Sequence, residues 1–147
     1  MHVLVLNVGS STLKFQLIRT DAERIAANGD ERLAKGQIER IGGEAILTLE
    51  SGPERTPRRT VASLRNHAAA VDHLLRWLTD AQSGSGIDAL GQIEAVGHRV
   101  VHGGPRFRAP TVLDDAVLAA IHDLEALARL VGLRTNRSVP KGGSWRF

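Results

Sequence analysis

The chain has 147 residues, 42% of them hydrophobic and 24% charged. That is the balance of a soluble globular chain of about one domain, with enough apolar material for a real core. No run of 18 apolar residues occurs, which argues against a membrane-spanning helix. Met1-His2 runs straight into Val3-Leu4-Val5-Leu6 with no basic leader. This argues against a secretory signal and for the cytoplasm. The absence of cysteine excludes a disulfide framework, a thiolate metal site and a cysteine nucleophile. The formal charge of +3 is unevenly spread: residues 1–125 carry 14 basic and 16 acidic side chains, and the last acid is Glu125. The basicity therefore belongs to the C-terminal stretch. With aromatic residues at 3% and no nucleic-acid motif, we expect neither a nucleic-acid nor a membrane partner.

Val3–Val8 is apolar at nearly every position and reads as a strand buried on both faces. Gly9-Ser10-Ser11-Thr12 is a turn, and Leu13–Ile18 alternates with Leu13, Phe15 and Leu17 on one face. The chain thus opens with a hairpin. Further strands are predicted at Leu33–Ile41 and Ala45–Glu50, joined through Gly42-Gly43. Ser51–Thr60, rich in Pro, Gly and charge, reads as a loop. Ser63–Gln82 reads as an amphipathic helix with Leu64, Ala68, Val71, Leu75 and Leu78 as its stripe and Ser63 or Asn66 as cap. Ser83–Gly86 reads as a short flexible connection. A strand over Ile93–Val101 and a helix over Asp114–Val131 follow. The order ββββ-α-β-α predicts an α/β fold: a mixed sheet with flanking helices. Beyond Leu130 the hydrophobic period is lost.

Two segments carry residue types that suit chemistry. In Asn7–Lys14 an apolar strand enters a turn lined with hydroxyls, and a strand bearing Lys14 leaves it. Turn N–H groups and the hydroxyls of Ser10, Ser11 and Thr12 can donate to phosphate oxygens. Lys14 can supply a point charge to a phosphoryl group, and the Asn7 amide can orient a water or a metal. The same residues also suit a plain hairpin turn. In Gly97–Gly104, strand alternation puts Arg99 and Val101 on one face and His98 and His102 on the other. A guanidinium beside an apolar side chain suits a small carboxylate, although Arg99 equally suits a surface ion pair. His98 and His102 are too far apart on a strand to share one metal. His2, His67, His73 and His122 read as structural or solvated. No Walker-type loop and no dinucleotide-binding glycine fingerprint is present.

Asn7-Val8-Gly9-Ser10-Ser11-Thr12-Leu13-Lys14-Phe15 resembles the N-terminal signature of acetate kinases, in which the position of Thr12 is usually serine. Ala95–Gly104 is similar to the second signature of that family, and Asp114–Leu127 to the helix that follows it. The resemblance covers residues 2–128. It implies one lobe of an actin-like, RNase H-like ATPase fold, with ATP and the acyl substrate held between two lobes. It implies phosphoryl transfer between ATP and acetate, giving acetyl phosphate and ADP, with Mg²⁺. By the same resemblance Asn7 lies by the phosphates and the metal. Ser10, Thr12 and Lys14 line the phosphoryl path, with Lys14 and Arg99 in catalytic roles. Arg99 holds the carboxylate or the moving phosphoryl, and Val101 lines the methyl pocket. A full-length member is expected to form a homodimer. Propionate or butyrate is an alternative acceptor, and a non-catalytic binding or scaffold lobe an alternative role. Family members are more than twice as long and continue into a Pro-Leu-His-Asn-Pro segment. Here Ala128-Arg129-Leu130-Val131-Gly132-Leu133 stands instead. We therefore expect a lobe over 1–128 and an irregular basic tail over 129–147, the mark of a truncated or frame-shifted product, inactive alone. The family's catalytic His and Asp, its second Arg and its Mg²⁺-holding Glu have no match in the chain.

Overall fold

The computed structural model describes residues 1–54, 56–99 and 111–120. The chain divides into two units, Met1–His98 and Arg99–Phe147. The first is built on a six-stranded mixed sheet in the order β5-β4-β3-β2-β1-β6. Its strands are β1 (His2–Val8), β2 (Thr12–Arg19), β3 (Glu31–Glu39), β4 (Gly43–Ser51), β5 (Arg58–Leu64) and β6 (Ile93–His98). Strands β1 to β5 pair antiparallel in succession, and β6 returns parallel to β1. That return needs a crossover. Helix α2 (His67–Thr79) lies between β5 at one edge and β6 at the other. A short helix, α1 (Ala22–Ala26), links β2 to β3 and is capped by the Asp21 carboxylate, which accepts from Arg24 N at 2.8 Å.

The expected alternation in β2 places Leu13, Phe15 and Leu17 in the core, at 0–3% exposure. Their ladder partners continue the same face: Ile38 opposite Leu13, Gly36 opposite Phe15, Ala34 opposite Leu17. Leu74 and Leu78 of α2 are fully buried in the same core. The Phe15 ring meets Trp77 edge-on at 5.8 Å. It also covers Gly36, where an added Cβ would stand 2.8 Å from the ring and 2.5 Å from the Thr48 carbonyl oxygen.

Several expectations need correcting. β1 is not buried on both faces among the described residues: Leu4 and Val8 are buried, whereas Val5 and Asn7 are exposed. Its partners Gln16 and Lys14 are exposed as well, so the outer face is open, with Asn7, Lys14 and Gln16 at its polar end and Val5 among them. Arg58–Leu64 is not loop and helix start but the edge strand β5, and the last three residues of the predicted loop, Arg58 to Thr60, belong to it. Its Val61 is 63% exposed, and arginines at its start suit an edge that must not pair with another chain. The helix begins four residues later than Ser63, with Asn66 as cap accepting from Ala69 N at 2.9 Å. Its buried stripe is His67, Ala70, Leu74 and Leu78, and Ala68 is exposed. Ser83–Gly86 is no free connection: Ser85 is 1% exposed, and its hydroxyl donates to the Leu78 carbonyl at 2.5 Å. Gly84 and Gly86, with φ of +69° and +81°, supply the left-handed backbone that this reversal needs.

The sheet strand predicted over Ile93–Val101 ends at His98. Arg99 is the next residue, outside the strand and exposed. Val101 and His102, and with them the expected face shared by Arg99 and Val101, lie outside the described residues. In the second unit, residues 115–120 are helical. Asp114 caps them, its carboxylate accepting from Val117 N at 2.8 Å. The predicted helix thus starts where expected, and its remainder to Val131 lies outside the described residues, as does the 129–147 segment.

Candidate functional site

The β1–β2 hairpin gathers five of the singled-out residues. Asn7 and Lys14 are direct cross-strand partners at the polar end of the outer face, and such partners bring their Cβ atoms within roughly 5 Å. The row continues into Gln37 of β3 and Thr48 of β4. Lys14 makes no ion pair among the described residues. Lys35, one row along, is held by Glu50 at 3.2 Å, and Arg32 adds to the same carboxylate at 3.4 Å. Lys14 therefore keeps its charge available, and Lys35 is part of the sheet's own electrostatics.

The turn between the strands is tied down on its inner side. Gly9 N donates to Thr12 O at 2.8 Å, closing the hairpin. The Ser11 carbonyl accepts from Ile41 N at 3.0 Å, which docks the turn onto the end of β3. The Gly9 carbonyl accepts from Nε2 of His67, the first residue of α2, at 2.9 Å. A Cβ at position 9 would stand 2.6 Å from the Thr12 hydroxyl, so any larger residue there would have to displace that hydroxyl. Ser10 and Ser11 remain exposed and Thr12 half-buried. Within this turn, small size and hydroxyls are what the chain presents outward.

His98 lies in β6 in register with Leu6, on the side of the sheet that holds Val96 against the core. Desolvation there lowers its pKa below the ordinary histidine value, although part of the residue stays exposed at the strand's end. It is held toward the neutral state and is a poor source of positive charge. The fixed cation of that segment is Arg99, exposed and immediately after the strand.

Among the described residues no group of three or more His, Cys, Asp or Glu side chains could hold a metal. Asn7 offers one neutral amide oxygen. Mg²⁺ takes a near-octahedral oxygen set and usually binds through one or two carboxylates together with substrate phosphates. The described residues do not by themselves form a resident Mg²⁺ site. A small polar dent of about 70 Å³, lined by Glu54, Arg58, Trp77 and Ser83 among others, lies away from the hairpin turn and involves none of the singled-out residues. Among the described residues no helix is long and apolar enough to cross a membrane.

A mixed sheet that opens on an antiparallel hairpin, with a glycine–hydroxyl turn at its tip and a parallel β6 beside β1, is the arrangement of an actin-like ATPase lobe. The model of the acetokinase family matches residues 2–135, and the chain belongs to that family. It is 57% identical over 132 residues to the acetate kinase of Solibacter usitatus, covering 88% of this chain and 31% of that protein. Against the acetate kinase of Chloroherpeton thalassium the identity is 44%, over 88% of this chain and 32% of that one. Among solved structures, Porphyromonas gingivalis acetate kinase superposes with a TM-score of 0.74 at 32% identity. It matches 88% of this chain with 30% of its own length. A propionate kinase from Francisella tularensis gives 0.66 at 27% identity, with the same coverage. The chain therefore spans under a third of the length of these relatives.

The structure brings Asn7, Ser10, Thr12 and Lys14 together at one end of one hairpin. It leaves Arg99 in the second unit and Val101 outside the described residues. Sequence reasoning passed over one residue of this neighbourhood: His67, which reads as structural or solvated, is buried but buried against the turn itself. The only signal was its place directly after the cap residue Asn66.

Proposed function

We propose that this lobe serves phosphoryl transfer between ATP and acetate, giving acetyl phosphate and ADP. The observation that carries the reading is the exposed Asn7–Lys14 pair beside the Gly9–Thr12 turn, within a chain of the acetokinase family. Phosphoryl transfer asks little covalent chemistry of a protein; it asks for positioning and for neutralisation of oxygens that carry charge. In this reading the hydroxyls of Ser10 and Thr12 and the turn N–H groups donate to phosphate oxygens. The Lys14 ammonium, unpaired by any described acid, supplies the countercharge. Arg99 forks onto the acetate carboxylate or the moving phosphoryl, and Val101 meets the methyl group. Mg²⁺ comes with the nucleotide phosphates, and Asn7 contributes no more than one amide oxygen to it. The partners are then acetate or acetyl phosphate and ATP or ADP, with no nucleic acid and no membrane. The compartment is the cytoplasm, and the full-length protein forms a homodimer. We place the lobe over 1–128 and a basic tail over 129–147.

The likeness to a propionate kinase supports a second acceptor reading, since one pocket valine distinguishes acyl chains by only about 1–3 kcal/mol per methylene. The test is a hydroxamate assay for acyl phosphate. It uses a full-length protein in which this lobe is joined to the remainder of an acetate kinase, with acetate and propionate as acceptors. Acetyl phosphate formation that falls on Lys14→Ala supports the reading. Unchanged turnover in Lys14→Ala removes the hairpin from the site.

A further inference from the structure

His67 has a feature that helix packing alone does not require. It is the first residue of α2, it is 8% exposed, and its Nε2 stands 2.9 Å from the Gly9 carbonyl oxygen. A carbonyl only accepts, so Nε2 carries the proton and donates. A trans peptide is planar, with its C=O and N–H pointing in opposite directions. Fixing the Gly9 carbonyl toward α2 therefore fixes the Ser10 N–H away from it. Ser10 itself is exposed. Gly9 has no Cβ to restrain this peptide plane, and glycine is the residue whose backbone most easily flips. Two further ties of the turn lie in other peptides: Gly9 N to Thr12 O at 2.8 Å in the peptide before, and Ser11 O to Ile41 N at 3.0 Å two peptides further on.

We infer that His67 is a positioning residue: by donating from Nε2 to the Gly9 carbonyl it holds the Gly9–Ser10 peptide with the Ser10 N–H aimed outward, as a preset donor to a phosphate group. The inference rests on the reading of the Gly9–Thr12 turn as a phosphate site, and adds to it the buried side chain that orients the turn. Preset donors matter because an N–H already aimed at an anion need not be reoriented when the anion arrives.

The experiment is an amide NMR titration of the full 147-residue chain with inorganic phosphate at constant ionic strength. It is run on the unmodified chain, His67→Gln, His67→Leu and Lys14→Ala. In the unmodified chain the Ser10 amide shifts on titration, and a His67 ring N–H proton is observed that exchanges slowly with water. His67→Leu, which removes the donor, weakens the phosphate response at Ser10 by about fivefold or more, the usual effect of one lost hydrogen bond. Meanwhile the core amides of Leu13, Leu17 and Leu47 keep their positions. His67→Gln, whose amide can donate from nearly the same point, recovers most of the response. An unmodified response in His67→Leu overturns the inference. So does a His67 ring proton that exchanges freely in the unmodified chain, a measurement that stands even if His67→Leu does not fold. A different pattern marks failure of the underlying reading: no shift at Ser10 in the unmodified chain and no effect of Lys14→Ala, with the His67 ring proton still protected.

Discussion

Arg99 and His98 are neighbours with opposite electrostatic behaviour, and that contrast yields two predictions. Arg99 offers a planar guanidinium fork and is exposed just beyond β6. In a full-length enzyme carrying this lobe, Arg99→Ala is expected to lower kcat/KM for acetate by roughly a hundredfold, the usual result of removing one charged donor from such a site. Arg99→Lys is expected to recover little, because an ammonium lacks the planar two-point fork. Val101→Ala is expected to lose less on acetate and to gain on propionate. Steady-state kinetics on the three variants decides, and near-normal kcat/KM in Arg99→Ala takes Arg99 out of the site. For His98 the prediction concerns stability. Its pKa is lowered in the folded chain by desolvation, so below the ordinary value of 6.5 the unfolded state binds the proton more readily. Stability should therefore fall as pH drops through 6.5 and level off below the folded pKa, and it should be fully present above 6.5. Denaturant titrations between about pH 5 and pH 7.5 should show that part of the slope vanish in His98→Gln. An unchanged slope in the variant assigns the pH dependence elsewhere.

At the scale of elements, the glycines of the sheet make a controlled comparison. Gly36 stands in β3 under the Phe15 ring, and a Cβ there would approach the Thr48 carbonyl oxygen to 2.5 Å. That neighbour is backbone and cannot step aside cheaply. Gly36→Ala gains roughly 0.4–1 kcal/mol from a stiffer unfolded chain but is expected to lose about 1–3 kcal/mol to overpacking, and so to destabilise. Gly43 at the start of β4 has nothing within 4 Å of such a Cβ, so Gly43→Ala should change stability by no more than about 0.5 kcal/mol. Urea midpoints for both variants check the pair; equal midpoints would mean that Phe15 and Thr48 yield without cost. The same strands show which parts of the fold sequence patterning can reach. The β1–β2 hairpin was legible because Leu13, Phe15 and Leu17 alternate strictly and all three are buried. β5 was not, because Arg58, Arg59 and Thr60 mimic a loop and its outward Val61 breaks the polar-out rule. The start of α2 was misplaced by four residues because Leu64 is buried as the last residue of a strand, although its spacing also fits the helix. In the site, the outward face of Lys14 followed from alternation, and Asn7 shares it through the register. The bond from His67 to Gly9 spans 58 positions, and no local pattern encodes a contact of that range.

For the whole molecule, the governing quantity is how much charge the site must neutralise and how much of it this chain can supply. Transfer from ATP to acetate brings a triphosphate and a carboxylate together, and the transition state spreads negative charge over several oxygens. Of the residues assigned to it, only Lys14 and Arg99 are cations. The described residues hold no group of acids or histidines able to keep a metal. The chain matches 30% of the length of Porphyromonas gingivalis acetate kinase, and the resemblance on which these roles rest puts the remaining catalytic groups in the segments beyond that match. The polypeptide of 147 residues is therefore expected to bind phosphate weakly through the hairpin turn and to form no acetyl phosphate from ATP and acetate. Each factor of ten in rate needs about 1.4 kcal/mol of transition-state stabilisation, and two solvent-exposed cations supply little of that against the screening of water. A coupled ADP-release assay, run beside a hydroxamate assay so that stray ATP hydrolysis is separated from acyl transfer, measures the outcome. Turnover at an ordinary enzymatic rate, abolished by Lys14→Ala in the same preparation, would mean that residues 1–147 contain a complete site and that the missing charge neutralisation is supplied from within them.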